Sequence, residues 1–302
     1  MRHIRHALAL VAGLAVLPAP TFGALQKPEP NQASALMNAP RPLFFRDLVA
    51  FDSDAHRSLR LPAERKHFAF AAQATLLPIT FAEVGPALRH YPVVFVAEGE
   101  RVALVAMTGL ADSGNRFVDA RGEWRPGAYI PAYVRGYPFI AIRTSETTEP
   151  ILALDPQAAD FMMPGGQKLI SADGKPSEQL KGILAFHAEY RQLAERTQMM
   201  TQALKNAGVL EQGSLQIQPN GAGEPQQIGG FLVVSEQKLK ALTPDALKTL
   251  LDADALGLAY AQLLSMQSLG NVFNAPAAVP SSPILEATST KPKVRRTKKA
   301  AE

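Results

Sequence analysis

The residues best suited to bind a ligand lie close together between positions 124 and 139. This stretch contains the single tryptophan of the chain, three tyrosines and two arginines, interleaved with prolines. Tyrosine and tryptophan have flat apolar faces and one polar group at the edge of the ring. Arginine stacks on such faces or binds an anion. The combination suits a sugar ring, an aromatic ligand or a peptide. The candidate binding residues are Trp124, Tyr129, Tyr133, Arg135 and Tyr137.

The same stretch has a second interpretation, in which it is not a binding surface. Prolines and aromatic rings also build tightly packed corners, where tyrosine hydroxyls and arginines bond to nearby backbone carbonyls. Tyr129, Tyr133 and Tyr137 would share one face if the stretch were helical. Pro131 would be tolerated only in the first turn of such a helix.

A different set of residues could support catalysis. His90 would be the general base if it met Asp119, Tyr133 and Arg135 in one pocket. The chain would then be an enzyme, or an enzyme-accessory protein, that acts on an aromatic or sugar-like small molecule. This alternative depends on the fold bringing together residues that are distant in sequence.

Known catalytic and metal-binding motifs are absent from the sequence. None of the four histidines after residue 23 lies at zinc-ligand spacing, and His187 falls on the apolar stripe of a predicted helix, as a core histidine would. Gly165-Gly166-Gln167-Lys168 lacks the spacing and the hydroxyl residue of a phosphate-binding loop, so we expect a turn. The absence of cysteine excludes disulfides and thiolate chemistry. We therefore predict no catalytic motif, no metal site and no cofactor.

The basic character of the chain is confined to its ends. The whole chain carries a net charge of +4, while residues 291–302 contribute +5 and residues 1–23 contribute +2, so residues 24–290 are slightly acidic at −3. An acidic body argues against nucleic acid as the main partner. A basic end of this kind is typically a solvated, disordered tail, which could loosely contact an anionic lipid, a surface polysaccharide or nucleic acid.

Residues 1–23 resemble a signal peptide. A basic start with Arg2 and Arg5 precedes the apolar run Ala7–Leu17, which prolines then end. The run is 11 residues long, whereas a helix that spans a bilayer needs about 20, and no later segment is long and apolar enough. Small residues would allow cleavage after Gly23. We expect export to the periplasm or the cell surface; a cytoplasmic protein with an apolar first helix is the alternative.

Two apolar runs predict a β-hairpin over residues 91–108. Tyr91–Ala97 and Arg101–Thr108 are rich in β-branched residues and flank a short turn that contains Gly99. Nearly every position of both runs is apolar, so both faces of the sheet should be covered. Further strands are expected at 68–72, 76–79, 139–143, 151–155, 214–218 and 226–234.

Helices are predicted mainly in the C-terminal half. Ser177 is a suitable N-cap for a long helix that stops at Asn206-Ala207-Gly208. Thr243-Pro244 begins a second helical region, which should bend near residues 252–254 and end at 270–271. Closer to the N-terminus, a capping box of Thr80 and Glu83 predicts a short helix through Arg89.

Strands grouped before a long helix predict an α+β fold, with a mixed or antiparallel sheet and C-terminal helices. The predicted organisation is a signal peptide (1–23), a linker (24–43), one domain (44–272) and a basic tail with prolines and serines (273–302). A domain of about 230 residues is within the usual range for one domain.

Several motifs resemble, in order, those of the SapC family of bacterial proteins. They are HYPVVFV at 90–96, VALVAMTGL at 102–110, FVDARGEWRPGAYIPAYVRGYPF at 117–139 and GFLVVSEQKLKAL at 230–242. The resemblance covers residues 40–272. Gly136 is a departure, because the family pattern has a second arginine directly after the position of Arg135. An arginine pair that grips an anion is therefore not expected here.

The resemblance implies a fold and a bacterial source more than a reaction. The family name is linked to the bacterial surface layer, and no agreed catalytic activity or cofactor comes with it. Together with the leader and the aromatic stretch, it favours a non-enzymatic protein of the cell envelope. Such a protein would bind a surface component, either an envelope polysaccharide or a surface protein, through residues 117–139 with help from the basic tail.

Overall fold

The structure is a computed structural model that describes Leu36 and residues 40–110, 113–143, 149–217 and 226–273. The predicted leader and basic tail lie outside these residues, so both stay predictions. Among the described residues, no helix is long and apolar enough to cross a membrane.

The described chain contains ten strands and seven α-helices. The strands are β1 (Val49–Ala50), β2 (Arg60–Leu61), β3 (Leu76–Pro78), β4 (Val93–Glu98), β5 (Arg101–Met107), β6 (Phe139–Ile142), β7 (Ile151–Leu154), β8 (Gln167–Lys168), β9 (Leu210–Ile217) and β10 (Gln226–Val234). The helices are α1 (Val84–Ala87), α2 (Ala132–Gly136), α3 (Glu178–Asn206), α4 (Glu236–Lys240), α5 (Pro244–Asp252), α6 (Ala255–Ser265) and α7 (Leu269–Phe273).

A five-stranded antiparallel sheet in the order β3–β5–β4–β10–β9 is the main sheet. The predicted hairpin is confirmed as the β4–β5 pair, in which Val93 lies opposite Ala106. Gly99 in its turn has a φ of 59°, a conformation that glycine adopts without steric penalty. Side chains on both faces are buried over Val93–Val96 and Val102–Met107, as their apolar character predicts.

The long helix α3 packs along one face of this sheet. It begins where predicted, and the Ser177 hydroxyl accepts a hydrogen bond from the backbone N–H of Leu180. It also ends where predicted, before Gly208, which has a φ of 70°. Its C-terminal half shares a core with the sheet through Met200 and Leu204.

The C-terminal helices pack against the same core. Thr243 caps α5, as predicted, by accepting a hydrogen bond from the backbone N–H of Ala246. The predicted bend is confirmed at Asp254, whose φ of 55° separates α5 from α6. The helical region runs on to Phe273, slightly beyond its predicted end.

Two small sheets, β1–β7–β6 and β2–β8, share a cluster of buried side chains with the N-terminal half of α3. The segment 134–139, which runs from α2 into β6, connects three parts of the core. Three of its residues belong to three different clusters of buried side chains. Val134 belongs to the cluster on the main sheet, Tyr137 to one with Phe45 and Leu48, and Phe139 to one beneath α3.

The predicted strand at 68–72 is wrong. Ala69–Ala71 forms a 3₁₀ helix, whose period of three residues places both Phe68 and Ala71 in the core. The alternation of phenylalanine and alanine matches a strand only by coincidence.

The predicted capping box is confirmed. The backbone N–H of Thr80 donates to Oε2 of Glu83 at 2.8 Å. The helix that follows is shorter than expected and ends at Ala87 instead of Arg89. With antiparallel sheets and C-terminal helices, the fold is α+β, as predicted.

Candidate functional site

The centre of the candidate site is α2, a helix of 5 residues preceded by Pro131. A helix this short is not stable alone, because its few hydrogen bonds do not offset the cost of nucleating it. Tyr133 lies within α2, whereas Tyr129 precedes it and Tyr137 follows it, so the three tyrosines do not share a helical face. The surrounding structure must therefore hold this helix in place.

Glu83 holds the N-terminal end of α2. Its side chain is buried, and its Oε1 accepts hydrogen bonds from the backbone N–H of Ala132 at 2.6 Å and from the Tyr129 hydroxyl at 3.1 Å. Its Oε2 is bound by Thr80 in the capping box. A negative charge is favourable here, because the free N–H groups at a helix start carry a partial positive charge. Glu83 thus connects the start of α2 to the turn before α1.

Arg65 holds the other end of α2. Its guanidinium donates to the carbonyl of Val134 at 3.1 Å and to the carbonyl of Tyr137, and its Nε pairs with Asp160 at 2.7 Å. The side chains of this ion pair are only 13% and 7% exposed. A cation is favourable beside the carbonyls at a helix end. These bonds occupy Arg65 within the protein.

Trp124 and Tyr137 are buried, Tyr133 is half-buried, and all three use their polar atoms internally. Trp124 is 7% exposed and its Nε1 donates to the Tyr91 hydroxyl at 3.2 Å. Tyr133 donates to a backbone carbonyl at 3.1 Å, and Tyr137 donates to the buried Asp155 at 3.1 Å. Burial raises the pKa of both tyrosine hydroxyls. A ligand could reach these side chains only at their edges.

The two arginines of the stretch are more accessible. Arg135 is exposed and lies over the ring of Phe186, with 5.4 Å between the guanidinium carbon and the ring centroid. Arg125 is partly exposed and lies 4.1 Å over the ring of Phe117. Within the described ranges, neither arginine forms an ion pair. Arg125 and Arg135 line two separate concavities.

The first concavity, named here the Trp124 groove, is an open groove of about 370 Å³. Its lining includes Arg65, Lys66, Phe68, Glu123, Trp124, Arg125 and Ile130. Lys66 and Arg125 have no acidic partner in the described part of the chain, whereas Glu123 is paired with Arg121 at 3.1 Å. The groove is therefore electropositive.

The second concavity, named here the His187 cleft, has a volume of about 270 Å³. It lies between α2, the N-terminal half of α3 and the segment after β2. Its lining includes Leu61, Arg65, Arg135, Phe139, Phe186 and His187. Arg65 lines both concavities, so its buried ion pair separates them.

His187 is buried against α2, as the sequence pattern predicted for a core histidine. Burial lowers the pKa of His187 to about 4, although a hydrogen bond with the backbone of Gly136 opposes the change. A Cβ atom on Gly136 would lie 2.9 Å from Cε1 of His187 and 3.1 Å from the ring of Phe186. Position 136 therefore has no room for the second arginine of the family pattern unless both rings move.

His90 and Asp119 do not join either concavity. Asp119 accepts hydrogen bonds from two backbone N–H groups of its own turn, each at 2.9 Å. Burial, and then the charges of two neighbouring arginines, lower the pKa of His90. Across the described residues, no hydrogen bond or ion pair links His90, Asp119 and Arg135. The shared pocket that the enzymatic alternative requires has no support in these contacts.

Sequence reasoning did not identify Arg65, Asp160 or Phe186 as residues of the site. Arg65 lies in a polar run without a local motif, and its partner Asp160 is 95 residues away along the chain. No periodicity connects two side chains that meet only in the folded protein. Phe186 is recognisable in the sequence only as one residue of a helix.

The described residues contain no group of three or more histidine, cysteine, aspartate or glutamate side chains that could hold a metal ion. A protein-family model described as SapC matches residues 51–272, which is more than half of the 302 residues. The chain belongs to the SapC family. The matched range includes both concavities. The comparisons with curated proteins and with solved structures gave no match.

The buried His187 should make the protein less stable in mild acid. Its pKa is about 4 in the folded protein and 6.5 ordinarily, so the unfolded chain binds a proton more readily. The stability that neutral His187 contributes is present above pH 6.5 and is lost as the pH falls towards 4, by roughly 3 kcal/mol in total. Burial also raises the pKa of Glu98 to about 7, and this carboxyl gains stability as the pH falls. The loss due to His187 is therefore the difference between the wild type and a His187 variant in urea unfolding at about pH 7.5 and pH 4.5.

The variant His187→Asn should show a weaker dependence of its unfolding free energy on pH than the wild type. The exposed His67 provides the control, because His67→Gln should keep the wild-type dependence. Equal pH dependence in the wild type and in His187→Asn would show that His187 is not the group responsible.

Proposed function

We propose that this protein is a non-enzymatic component of the bacterial cell envelope that binds an acidic surface polysaccharide in the Trp124 groove. SapC membership supports the link to the surface layer that the family name carries. The observation that carries the choice of ligand is the pair of cations, Lys66 and Arg125, in one groove without acidic partners among the described residues.

The side chain of Arg125 is fixed by its neighbours in a position where it can bind an acidic group. Its side chain lies over the ring of Phe117 at 4.1 Å and donates to the carbonyl of Arg116 at 2.9 Å. Burial lowers the pKa of Arg125, but a guanidinium stays protonated at neutral pH. An arginine already fixed in this way loses little conformational freedom when a carboxylate binds. Lys66 adds a second, flexible charge to the same groove.

The apolar part of the groove is small. Trp124 is 7% exposed, because its ring packs edge-on against Phe68 with 5.6 Å between the ring centroids. A sugar cannot stack on the full face of this tryptophan. The groove therefore selects for acidic groups more than for ring stacking, which favours a carboxylated polysaccharide over a neutral one.

The two ends of the chain are also consistent with a protein that binds an acidic polysaccharide in the cell envelope. Residues 291–302 carry a charge of +5 and would add a second contact to the same acidic polymer. Residues 1–23 would deliver the protein to the periplasm or the cell surface, where such polymers are found. Both assignments come from the sequence, because these residues lie outside the described part of the chain.

Titration calorimetry of the full chain with polygalacturonate tests the proposed ligand. The double variant Lys66→Gln/Arg125→Gln should bind at least about tenfold more weakly, because it loses charge-assisted hydrogen bonds. Binding should also weaken with added salt, and uncharged dextran should not bind.

The control is Lys248→Gln, which removes an exposed lysine of α5 that is paired with Asp252 at 2.8 Å. The wild type, the control and the double variant all carry the same basic tail, so a difference between them reports on the groove. If the double variant bound polygalacturonate as tightly as the control, the groove would not be the binding site.

Fractionation of the source bacterium tests the proposed location. Intact-mass analysis should find a periplasmic or surface form that begins near Ala24, because the signal peptide would be cleaved after Gly23. A full-length form in the cytosol would contradict export and would remove the envelope from the proposal.

A further inference from the structure

We infer that the His187 cleft is a second binding site, and that it takes a small carboxylic acid with an apolar body. This inference goes beyond the proposed polysaccharide site, because the cleft and the groove share only Arg65 among their lining residues. Arg65 is bound internally by Asp160 and by the end of α2. Apart from Arg65, different side chains are therefore available to a ligand in each concavity.

About half of the cleft surface is apolar. Phe139 and Leu61 form its buried side, while Ile183 and Phe186 on α3 are partly exposed. The ring of Phe186 is fixed by neighbours, since it lies parallel to Tyr190 at 6.4 Å and edge-on to His187 at 5.2 Å. A fixed apolar wall favours a hydrocarbon chain or ring, which gains by leaving water.

The polar groups deeper in the cleft are already used by the protein. Gln179 donates through Nε2 to the carbonyls of Leu61 and Pro62, at 3.3 Å and 3.0 Å. Its Oε1 has no hydrogen-bond partner among the described residues, but this atom is covered by its neighbours and cannot reach a ligand. His187 is bound to the backbone of Gly136 and stays uncharged at neutral pH. The inner part of a ligand should therefore be apolar.

One positive charge lies at the rim of the cleft. Arg135 is exposed, has no ion pair among the described residues, and lies 5.4 Å over Phe186. The other cation of the cleft, Arg65, is neutralised by Asp160 at 2.7 Å. The guanidinium of Arg135 donates to the carbonyl of Ile130 at 3.1 Å and to the Tyr129 hydroxyl at 3.5 Å, which leaves its other N–H groups for a ligand. A guanidinium without an acidic partner among the described residues, next to an apolar wall, matches a ligand with one carboxylate at one end.

Gly182 on α3 gives a way to block the cleft without disturbing the core. It lines the cleft, and a Cβ atom added to it would meet no other atom within 4 Å. Gly257 on α6 provides a matched control, because it is also exposed and helical and a Cβ there would meet nothing within 4 Å. Leucine in place of either glycine should raise helix propensity equally.

The test is titration calorimetry of the full chain with octanoate. The wild type and Gly257→Leu should bind octanoate with equal affinity. Gly182→Leu should bind at least about tenfold more weakly because leucine fills the cleft, and Arg135→Gln should show a similar loss because the carboxylate has no cation. Acetate, which lacks the apolar body, and 1-octanol, which lacks the charge, should each bind the wild type at least about tenfold more weakly than octanoate.

Three results would overturn the inference: no binding of octanoate to the wild type, wild-type affinity in both cleft variants, or equal affinity for octanoate and 1-octanol. If Gly182→Leu proved misfolded by circular dichroism, Arg135→Gln would decide alone. Arg125→Gln should leave octanoate binding unchanged, and Gly182→Leu should leave polygalacturonate binding unchanged. Failure of this site can thus be told apart from failure of the groove.

Discussion

A five-residue helix held at both ends by buried charges is the constraint on which the site depends. Glu83 binds the backbone N–H at the start of α2, and Arg65 binds the carbonyls at its end. Each charge has the sign that the helix dipole favours at that end. Each is also fixed by a partner of its own, the capping box for Glu83 and Asp160 for Arg65. A helix too short to persist alone thereby becomes a rigid part of the molecule.

This anchoring explains why the aromatic stretch is split between core and surface. Trp124, Tyr137 and Phe139 enter three different clusters of buried side chains, so most of the aromatic surface of the stretch is used in packing. The long cationic side chains of Arg125 and Arg135 cannot be buried without partners and remain outside. The binding chemistry left on the surface is therefore positive charge beside limited apolar area, divided between two concavities.

Local patterns in the sequence predicted most of the elements, but only part of the site. The hairpin, the long helix and its cap depend on residues that are neighbours in the chain. The three-residue spacing of the capping box identified Glu83, but not its contact with Ala132, which is 49 residues away. The Arg65–Asp160 pair, 95 residues apart, leaves no local signal. Phe68–Ala72 was misassigned, because an alternation of large and small residues does not distinguish a strand from a 3₁₀ turn.

Native-state hydrogen exchange at the backbone N–H of Ala132 tests the central claim most directly. This group donates to Glu83 at 2.6 Å, whereas Gly127 lies in an exposed turn and serves as the unprotected reference. If buried charges hold α2, the Ala132 N–H should exchange only through global unfolding, with the same denaturant dependence as the β4–β5 amides. Exchange of Ala132 as fast as that of Gly127, independent of denaturant, would contradict the account, because it would mean that α2 opens on its own.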